Sequence, residues 1–127
     1  MAVSRLRVLG VDNENNVLCS LRRLFIEHDI VFIDAASAAE GLEIVGLGGH
    51  FDVIISDYQL PGMNGIEFLS AVRDLRPETL RILLVGRVPS RENMGAFDAG
   101  IVHFRVPKPW DNMELLALIE AWIALNR

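Results

Sequence analysis

Residues 53–65 read VIISDYQLPGMNG, a short apolar run followed by polar and turn residues. Apolar residues lead into a single aspartate, Asp57, and a Pro-Gly turn closes behind it. An apolar run that ends in turn residues is typical of a buried strand. A charged side chain at the mouth of such a strand is either a turn residue or a group that does chemistry, and the neighbouring segments must decide between the two.

Strands and helices alternate on both sides of this stretch. Short apolar runs predict five strands, at residues 6–11, 31–33, 51–56, 81–85 and 101–106. Helical spacing, N-cap residues and stop residues predict five helices, at about 15–28, 37–49, 65–75, 90–98 and from 111 onward. Such alternation indicates parallel strands joined by right-handed crossovers. We therefore predict an α/β fold, a single doubly wound domain over residues 1–127.

Composition excludes several classes of protein. The 127 residues suit one domain, and the 51% hydrophobic content is ample for a packed core. A net charge of −5 lacks the basic footprint of a nucleic-acid binder, so no direct nucleic-acid contact is expected. The single cysteine, Cys19, excludes an intramolecular disulfide and suits a reducing compartment. No secretory signal and no apolar run near the roughly 18 residues of a membrane span is visible, so we expect a cytoplasmic protein without a membrane partner.

Charged residues follow three of the predicted strands. Asp12 ends the first strand, Asp57 the third and Lys108 the fifth. Any one such aspartate is more often a cap or a turn residue, but three charges at the same edge weaken that interpretation, because sites in parallel sheets lie beyond the carboxyl ends of the strands. Clustered carboxylates repel one another unless a cation lies among them, and hard oxygen ligands favour Mg²⁺. A lysine facing them suits a phosphoryl group.

Three motifs together resemble the receiver domain of bacterial two-component response regulators: VDNE at 11–14, SDYQLPGMNG at 56–65 and KPWD at 108–111. The resemblance covers essentially the whole chain and implies a five-stranded sheet in the flavodoxin-like order 2-1-3-4-5. It implies that Asp57 takes a phosphoryl group from a sensor histidine kinase or a phosphotransfer protein in a Mg²⁺-dependent reaction. Lys108 would contact the phosphoryl oxygens, and the peptide before Pro109 is commonly cis in this family.

The resemblance also implies the metal ligands. Mg²⁺ would be held by Asp12, Asn13, Asp57 and the backbone carbonyl of Gln59. Asn13 departs from the family pattern, which usually has a second acid there; an amide offers an oxygen but no charge, so we expect weaker Mg²⁺ binding. Glu14 would partly compensate for the missing charge if it faced the site, but the usual direction of this residue in the family is away from the site. Such a domain is a phosphoacceptor with at most self-phosphorylation and self-dephosphorylation activity, and not a turnover enzyme.

Two further departures fall on the phosphate switch of the family. Val85 stands where a threonine or serine is usual, and Arg105 stands where an aromatic residue is usual. Two alternatives therefore stay open. The domain is phosphorylated and controls a partner or an output module fused in a longer parent chain, or it is a degenerate receiver that acts as a phosphorylation-independent protein-interaction module. A small flavodoxin-like flavin-binding domain is a third alternative, and the missing phosphate loop argues against it.

The last predicted helix carries an apolar flank, Leu118, Trp122 and Leu125, beside its main apolar stripe. The flank is either a wide packing face with Trp122 over the sheet edge, or a contact surface for a homodimer. His103, like the other two histidines, is expected at the surface or in a loop, because a carboxylate nucleophile that is already ionised needs no general base.

Overall fold

The computed structural model of this chain describes residues 5–86 and 100–126. Within these ranges the chain forms five strands: β1 (Arg7–Val11), β2 (Val31–Ala35), β3 (Val53–Asp57), β4 (Leu80–Val85) and β5 (Phe104–Pro107). The described residues form four helices: α1 (Asn15–Glu27), α2 (Ala38–Gly46), α3 (Gly65–Leu75) and α4 (Asn112–Leu125). The helix predicted over residues 90–98 lies outside the described residues. Within the described ranges, no helix combines the length and the apolar character needed to cross a bilayer.

The strands form one parallel sheet in the order β2-β1-β3-β4-β5. This confirms the predicted fold class and strand order. The chain direction across the sheet reverses between β1 and β3, which is where doubly wound sheets open a crevice at their carboxyl edge. In the register of these two strands, Val11 lies opposite Ser56. The residues that follow, Asp12 and Asp57, are therefore neighbours at that crevice.

Helices cover both faces of the sheet and make two apolar layers. Successive residues of β3 alternate between them: Val53 and Ile55 belong to the layer with α1 and α4, and Ile54 belongs to the layer with α2 and α3. Phe25 of α1 and Phe68 of α3 are fully buried, one in each layer. Because both faces are buried, the strands read as continuous apolar runs rather than as an alternating pattern.

Local capping sets the starts of the helices as the sequence predicts. The Ser37 hydroxyl accepts a hydrogen bond from the Glu40 amide at 3.2 Å, and α2 begins at the next residue. The Asp111 carboxylate accepts one from the Glu114 amide at 2.9 Å at the start of α4. Each cap satisfies a backbone donor that the first helical turn leaves without an internal partner.

The amino-terminal edge of the sheet is held by side chains that bind backbone groups. Arg81 lies within the apolar run of β4 and is only 3% exposed. Burial lowers the pKa of its guanidinium, and backbone carbonyls surround the group. It donates to four backbone carbonyls, those of Pro77 (3.1 Å), Thr79 (2.9 Å), Gly100 (3.1 Å) and Ile101 (2.8 Å).

Two other side chains bind backbone groups at the same edge of the sheet. The Thr79 hydroxyl donates to the carbonyl of Phe51 at 2.9 Å. The Asp52 carboxylate accepts from the Arg7 amide at 2.9 Å.

His103 lies beside Arg81 and links β4 to α4. Its Nδ1 accepts a hydrogen bond from the Arg81 amide at 2.9 Å, and its ring centre lies 4.4 Å from that of Trp122. Burial, together with the charge of Arg81, lowers the pKa of His103 to about 4. His103 is a partly buried loop residue directly before β5, which agrees with the predicted loop position, whereas its contacts with Arg81 and Trp122 were not predicted.

The apolar flank of α4 is only partly exposed. Trp122 is half-buried, and its ring centre lies 5.9 Å from that of Phe104 in a perpendicular arrangement. Trp122 therefore packs over the sheet edge, which is the first of the two predicted alternatives. Leu118 packs against the same layer, whereas Leu125 is 84% exposed. A homodimer through this helix stays a prediction.

Candidate functional site

The carboxyl ends of three strands bring Asp12, Asp57 and Lys108 together. The Lys108 ammonium lies 2.9 Å from Oδ2 of Asp12 and 3.2 Å from Oδ1 of Asp57. Asp12 is fully buried and Asp57 is 7% exposed. Burial of two carboxylates is unfavourable without a counter-charge, and Lys108 supplies one to both. The ammonium holds together groups that are distant in sequence.

The site has more negative than positive charge. Burial, followed by the nearby charge of Asp12, raises the pKa of Asp57 above its ordinary value, although Lys108 and the Gln59 amide act in the opposite direction. Burial alone would lower the pKa of Lys108, but its hydrogen bonds to Asp12 and Asp57 and their charges outweigh burial, and the pKa is raised. An additional cation at this edge would favour the ionised form of Asp57.

The loop after β3 is built around the backbone of Asp57. The Gly65 amide donates to the Tyr58 carbonyl at 2.7 Å. A Cβ at position 65 would lie 2.1 Å from the Asp57 carbonyl oxygen, so only glycine fits there. Asn64 then opens α3 in a capping box with Glu67. Sequence reasoning placed the start of α3 but missed this packing role; a glycine at the first helical position, where better helix formers are available, is the signal that could have shown it.

The turn after β1 also contributes to the site. Oδ1 of Asp12 accepts a hydrogen bond from the Glu14 amide at 2.8 Å. One carboxylate oxygen from each of Asp12, Glu14 and Asp57 can be chosen so that all three lie within 4.8 Å of one another. The expectation that Glu14 points away from the site is wrong. Asn13, the residue between the two acids, is exposed.

The donor set fits a hard divalent cation. Three carboxylates converge from β1, β3 and the turn between β1 and α1. Lys108 contacts one oxygen of Asp12 and one of Asp57, which leaves the second oxygen of Asp57 and the carboxylate of Glu14 outside that ion pair. Oxygen ligands with room for water beside them are the set that Mg²⁺ prefers. Gln59, the predicted backbone ligand, lies two residues after Asp57 and its side chain is exposed.

The two switch positions lie near this edge but lack the usual groups. Val85 ends β4, is 4% exposed and has no hydroxyl to donate. Its carbonyl accepts a hydrogen bond from the Lys108 amide at 2.8 Å. Arg105 lies on β5 opposite Leu83 and is partly buried. The peptide between Lys108 and Pro109 is cis, as the resemblance implies.

Comparison with known protein families agrees with this geometry. The family model described as the response regulator receiver domain matches residues 8–120. The chain belongs to this family. Receiver domains take part in two-component signalling, and the motifs around Asp12, Asp57 and Lys108 all lie within the matched range.

Curated relatives of this receiver domain differ in length. The chemotaxis protein CheY of Pseudomonas aeruginosa is 31% identical over 119 residues, which are 91% of this chain and 94% of CheY. The hydrogenase transcriptional regulatory protein HoxA of Cupriavidus necator is 33% identical over 111 residues, which are 87% of this chain but 22% of HoxA. The transcriptional regulatory protein ResD of Bacillus subtilis is 27% identical over 115 residues, which are 91% of this chain and 47% of ResD. The chain thus spans only part of the length of several relatives.

Solved receiver structures superpose closely on this receiver domain. A CheY-like receiver domain protein from Methanospirillum hungatei JF-1 matches with a TM-score of 0.90 and 28% identity, over 97% of each chain. The signal receiver domain of an HD domain-containing protein from Pseudomonas fluorescens Pf-5 matches with a TM-score of 0.88 and 27% identity, over 97% of this chain and 98% of that one.

Proposed function

We propose that this receiver domain accepts a phosphoryl group on Asp57 from a sensor histidine kinase or a phosphotransfer protein. The position of Lys108 carries the proposal, because its ammonium lies 3.2 Å from Asp57 and 2.9 Å from Asp12. A fixed positive charge beside the nucleophile is what a transferring phosphoryl group requires, since its oxygens carry the charge that must be opposed.

The transfer would break one bond and form one. An Asp57 carboxylate oxygen attacks the phosphorus of a phosphohistidine, an O–P bond forms, and the P–N bond breaks with its electron pair returning to the imidazole. No base is needed, because an ionised carboxylate has no proton to lose. Lys108 orients the phosphoryl oxygens, and the Gln59 amide holds the carboxylate.

A divalent cation belongs to this proposal. Asp12, Asp57 and the carbonyl of Gln59 would hold Mg²⁺, and Asn13 stays a predicted fourth ligand. Mg²⁺ would neutralise the transferred group and align it for in-line attack. The role of Asp12 in the chain itself is to keep a second buried charge 2.9 Å from the Lys108 ammonium, so that the lysine stays at the mouth of β3.

We further propose that phosphorylation controls an output module in a longer parent chain, or a separate partner. The longer relatives HoxA and ResD, both described as transcriptional regulatory proteins, support the first form, and the chemotaxis protein CheY, which the chain covers almost completely, supports the second. A cytoplasmic location is proposed as well, and the free, exposed thiol of Cys19 is compatible with a reducing compartment.

Treatment with acetyl phosphate and Mg²⁺, followed by intact-mass measurement, tests the phosphoacceptor assignment. The unaltered protein should gain the mass of one phosphoryl group, and Asp57→Asn should gain none. Asp74→Asn is the matched control, since Asp74 is an exposed aspartate on α3 and its variant should be labelled normally. Label that persists in Asp57→Asn would overturn the assignment.

The degenerate receiver remains a second candidate because of Val85 and Arg105. A buried valine cannot donate a hydrogen bond to the phosphoryl group, so the usual coupling of the site to a binding face is missing at that position. If this candidate is correct, Asp57→Asn and beryllofluoride, which mimics the phosphoryl group, will both leave the affinity for a partner unchanged. A partner whose affinity changes at least about tenfold with beryllofluoride would support the switch instead.

A further inference from the structure

The short turn that follows β1 positions a carboxylate which the family pattern does not require. Glu14 is the N-cap residue of α1, with an extended backbone, and its side chain makes no capping hydrogen bond. Its amide is instead held by Oδ1 of Asp12 at 2.8 Å. Its carboxylate is therefore not used by the helix, and one of its oxygens lies within 4.8 Å of oxygens of Asp12 and Asp57.

We propose that Glu14 supplies the third carboxylate of the divalent-cation site and so replaces the charge that Asn13 lacks. The inference rests on the proposed function, because the cation is the one that phosphorylation of Asp57 would use. It gives the turn a charged ligand one residue later than the family pattern does, on a side chain that is one methylene longer than aspartate.

Distances and charge support this role for Glu14. Oxygens on opposite sides of Mg²⁺ stand about 4.2 Å apart when each metal–oxygen distance is about 2.1 Å. Ligands at adjacent positions stand about 3 Å apart, so oxygens that already lie within 4.8 Å of one another must close by at most about 2 Å, a change within reach of a flexible, exposed glutamate. Three carboxylates and the Lys108 ammonium leave two negative charges, which match one divalent cation.

Asn13 is less suited to supply this charge. Its side chain is exposed, as is that of Glu14, but its amide oxygen carries no formal charge to set against the cation. Glu14 also lines a groove of about 440 Å³ together with Lys108 and Trp110. Because Glu14 and Trp110 line the same groove, the fluorescence of Trp110 should respond to a cation held by Glu14.

Direct Mg²⁺ binding to the unphosphorylated protein tests the proposal. Isothermal titration calorimetry and Trp110 fluorescence should show at least about tenfold weaker binding in Glu14→Gln, which keeps the side-chain shape. Asn13→Ala should cost less affinity than Glu14→Gln, because it removes an uncharged oxygen and no charge. Adding Asn13→Asp to Glu14→Gln should restore most of the lost affinity, because the turn regains its charge. Far-UV circular dichroism checks that each variant is folded.

Several outcomes would overturn the role of Glu14. They are an unchanged affinity in Glu14→Gln, an Asn13→Ala variant that loses as much affinity as Glu14→Gln, and an unaltered protein that binds no Mg²⁺ at millimolar concentration. Failure of the proposed function looks different. In that case the unaltered protein binds Mg²⁺, Glu14→Gln weakens the binding, and acetyl phosphate still leaves Asp57 unlabelled.

Discussion

Lowering the pH should destabilise this domain through His103 in particular. The Nδ1 of His103 accepts a hydrogen bond from the Arg81 amide, and the ring lies against Trp122. Protonation of Nδ1 would turn this acceptor into a donor and break the hydrogen bond from the Arg81 amide. Burial and the neighbouring arginine charge lower the pKa of His103 from 6.5 to about 4. Between these two values the unfolded chain binds a proton that the folded chain does not bind, so stability is present above about pH 6.5 and is lost as the pH falls toward 4.

The size of the effect follows from the same difference. Each tenfold change in proton affinity is worth about 1.4 kcal/mol, so the interval from 6.5 to about 4 corresponds to at most about 3–4 kcal/mol. The ring is only partly buried, and solvent screening reduces the expected contribution to about 1–2 kcal/mol. This is a large share of the roughly 5–15 kcal/mol that stabilises a typical domain.

Urea unfolding followed by far-UV circular dichroism, at intervals between pH 7.5 and pH 4.5, measures this contribution. His103→Asn can still accept the Arg81 amide proton but cannot be protonated, so its free energy of unfolding should fall by about 1–2 kcal/mol less than that of the unaltered protein over this range. His28→Asn, at an exposed histidine, is the matched control and should keep the full pH dependence. Parallel curves for the unaltered protein and His103→Asn would refute the reasoning, as would an NMR titration of His103 with a pKa above 6.

Three other predictions concern Asp57, the switch position and the last helix. Val85→Thr buries a hydroxyl and should lower the free energy of unfolding by roughly 1–3 kcal/mol while enlarging the rise in Tm caused by beryllofluoride; equal rises in both proteins would count against this. Gly65→Ala should lower the free energy of unfolding by about 2 kcal/mol and reduce labelling of Asp57 by acetyl phosphate, because the new Cβ would lie 2.1 Å from the Asp57 carbonyl oxygen. A free energy of unfolding and an extent of labelling that both match the unaltered protein would show that the loop can accommodate a Cβ at position 65. Leu118→Glu with Leu125→Glu should convert a dimer to a folded monomer in light scattering, and an unaltered protein that is monomeric at high concentration would exclude self-association.

Much of the fold could be predicted because its signals are local. Apolar runs mark the strands, and caps such as Ser37 and Asp111 start their helices within one residue of the predicted position. The neighbourhood of Asp57 and Lys108 could be inferred too, since parallel strands place their carboxyl ends at one edge of the sheet. These inferences require only the order of elements along the chain, and not the conformation of any side chain.

What could not be predicted depends on contacts between distant segments. Arg81 is an arginine inside LRILLV, and its acceptors Gly100 and Ile101 lie about twenty residues further along the chain. The partly buried position of His103 follows from the same arrangement, because its Nδ1 accepts a hydrogen bond from the Arg81 amide. The nearness of the Glu14 carboxylate to Asp57 is likewise a contact between two segments that are far apart along the chain.

Because Arg81 binds backbone groups at one edge of the sheet, substitutions at the two edges should cause loss of function in different ways. At the amino edge, Arg81, Thr79 and Asp52 bind backbone groups, so a substitution there removes partners from buried carbonyls and amides and reduces the amount of folded protein. At the carboxyl edge, Asp57 is one of two buried carboxylates beside a single ammonium, so a substitution that removes its charge relieves repulsion and can leave a stable domain that no longer signals. A deep mutational scan that records cellular abundance and phosphorylation separately should therefore divide its loss-of-function variants by sheet edge.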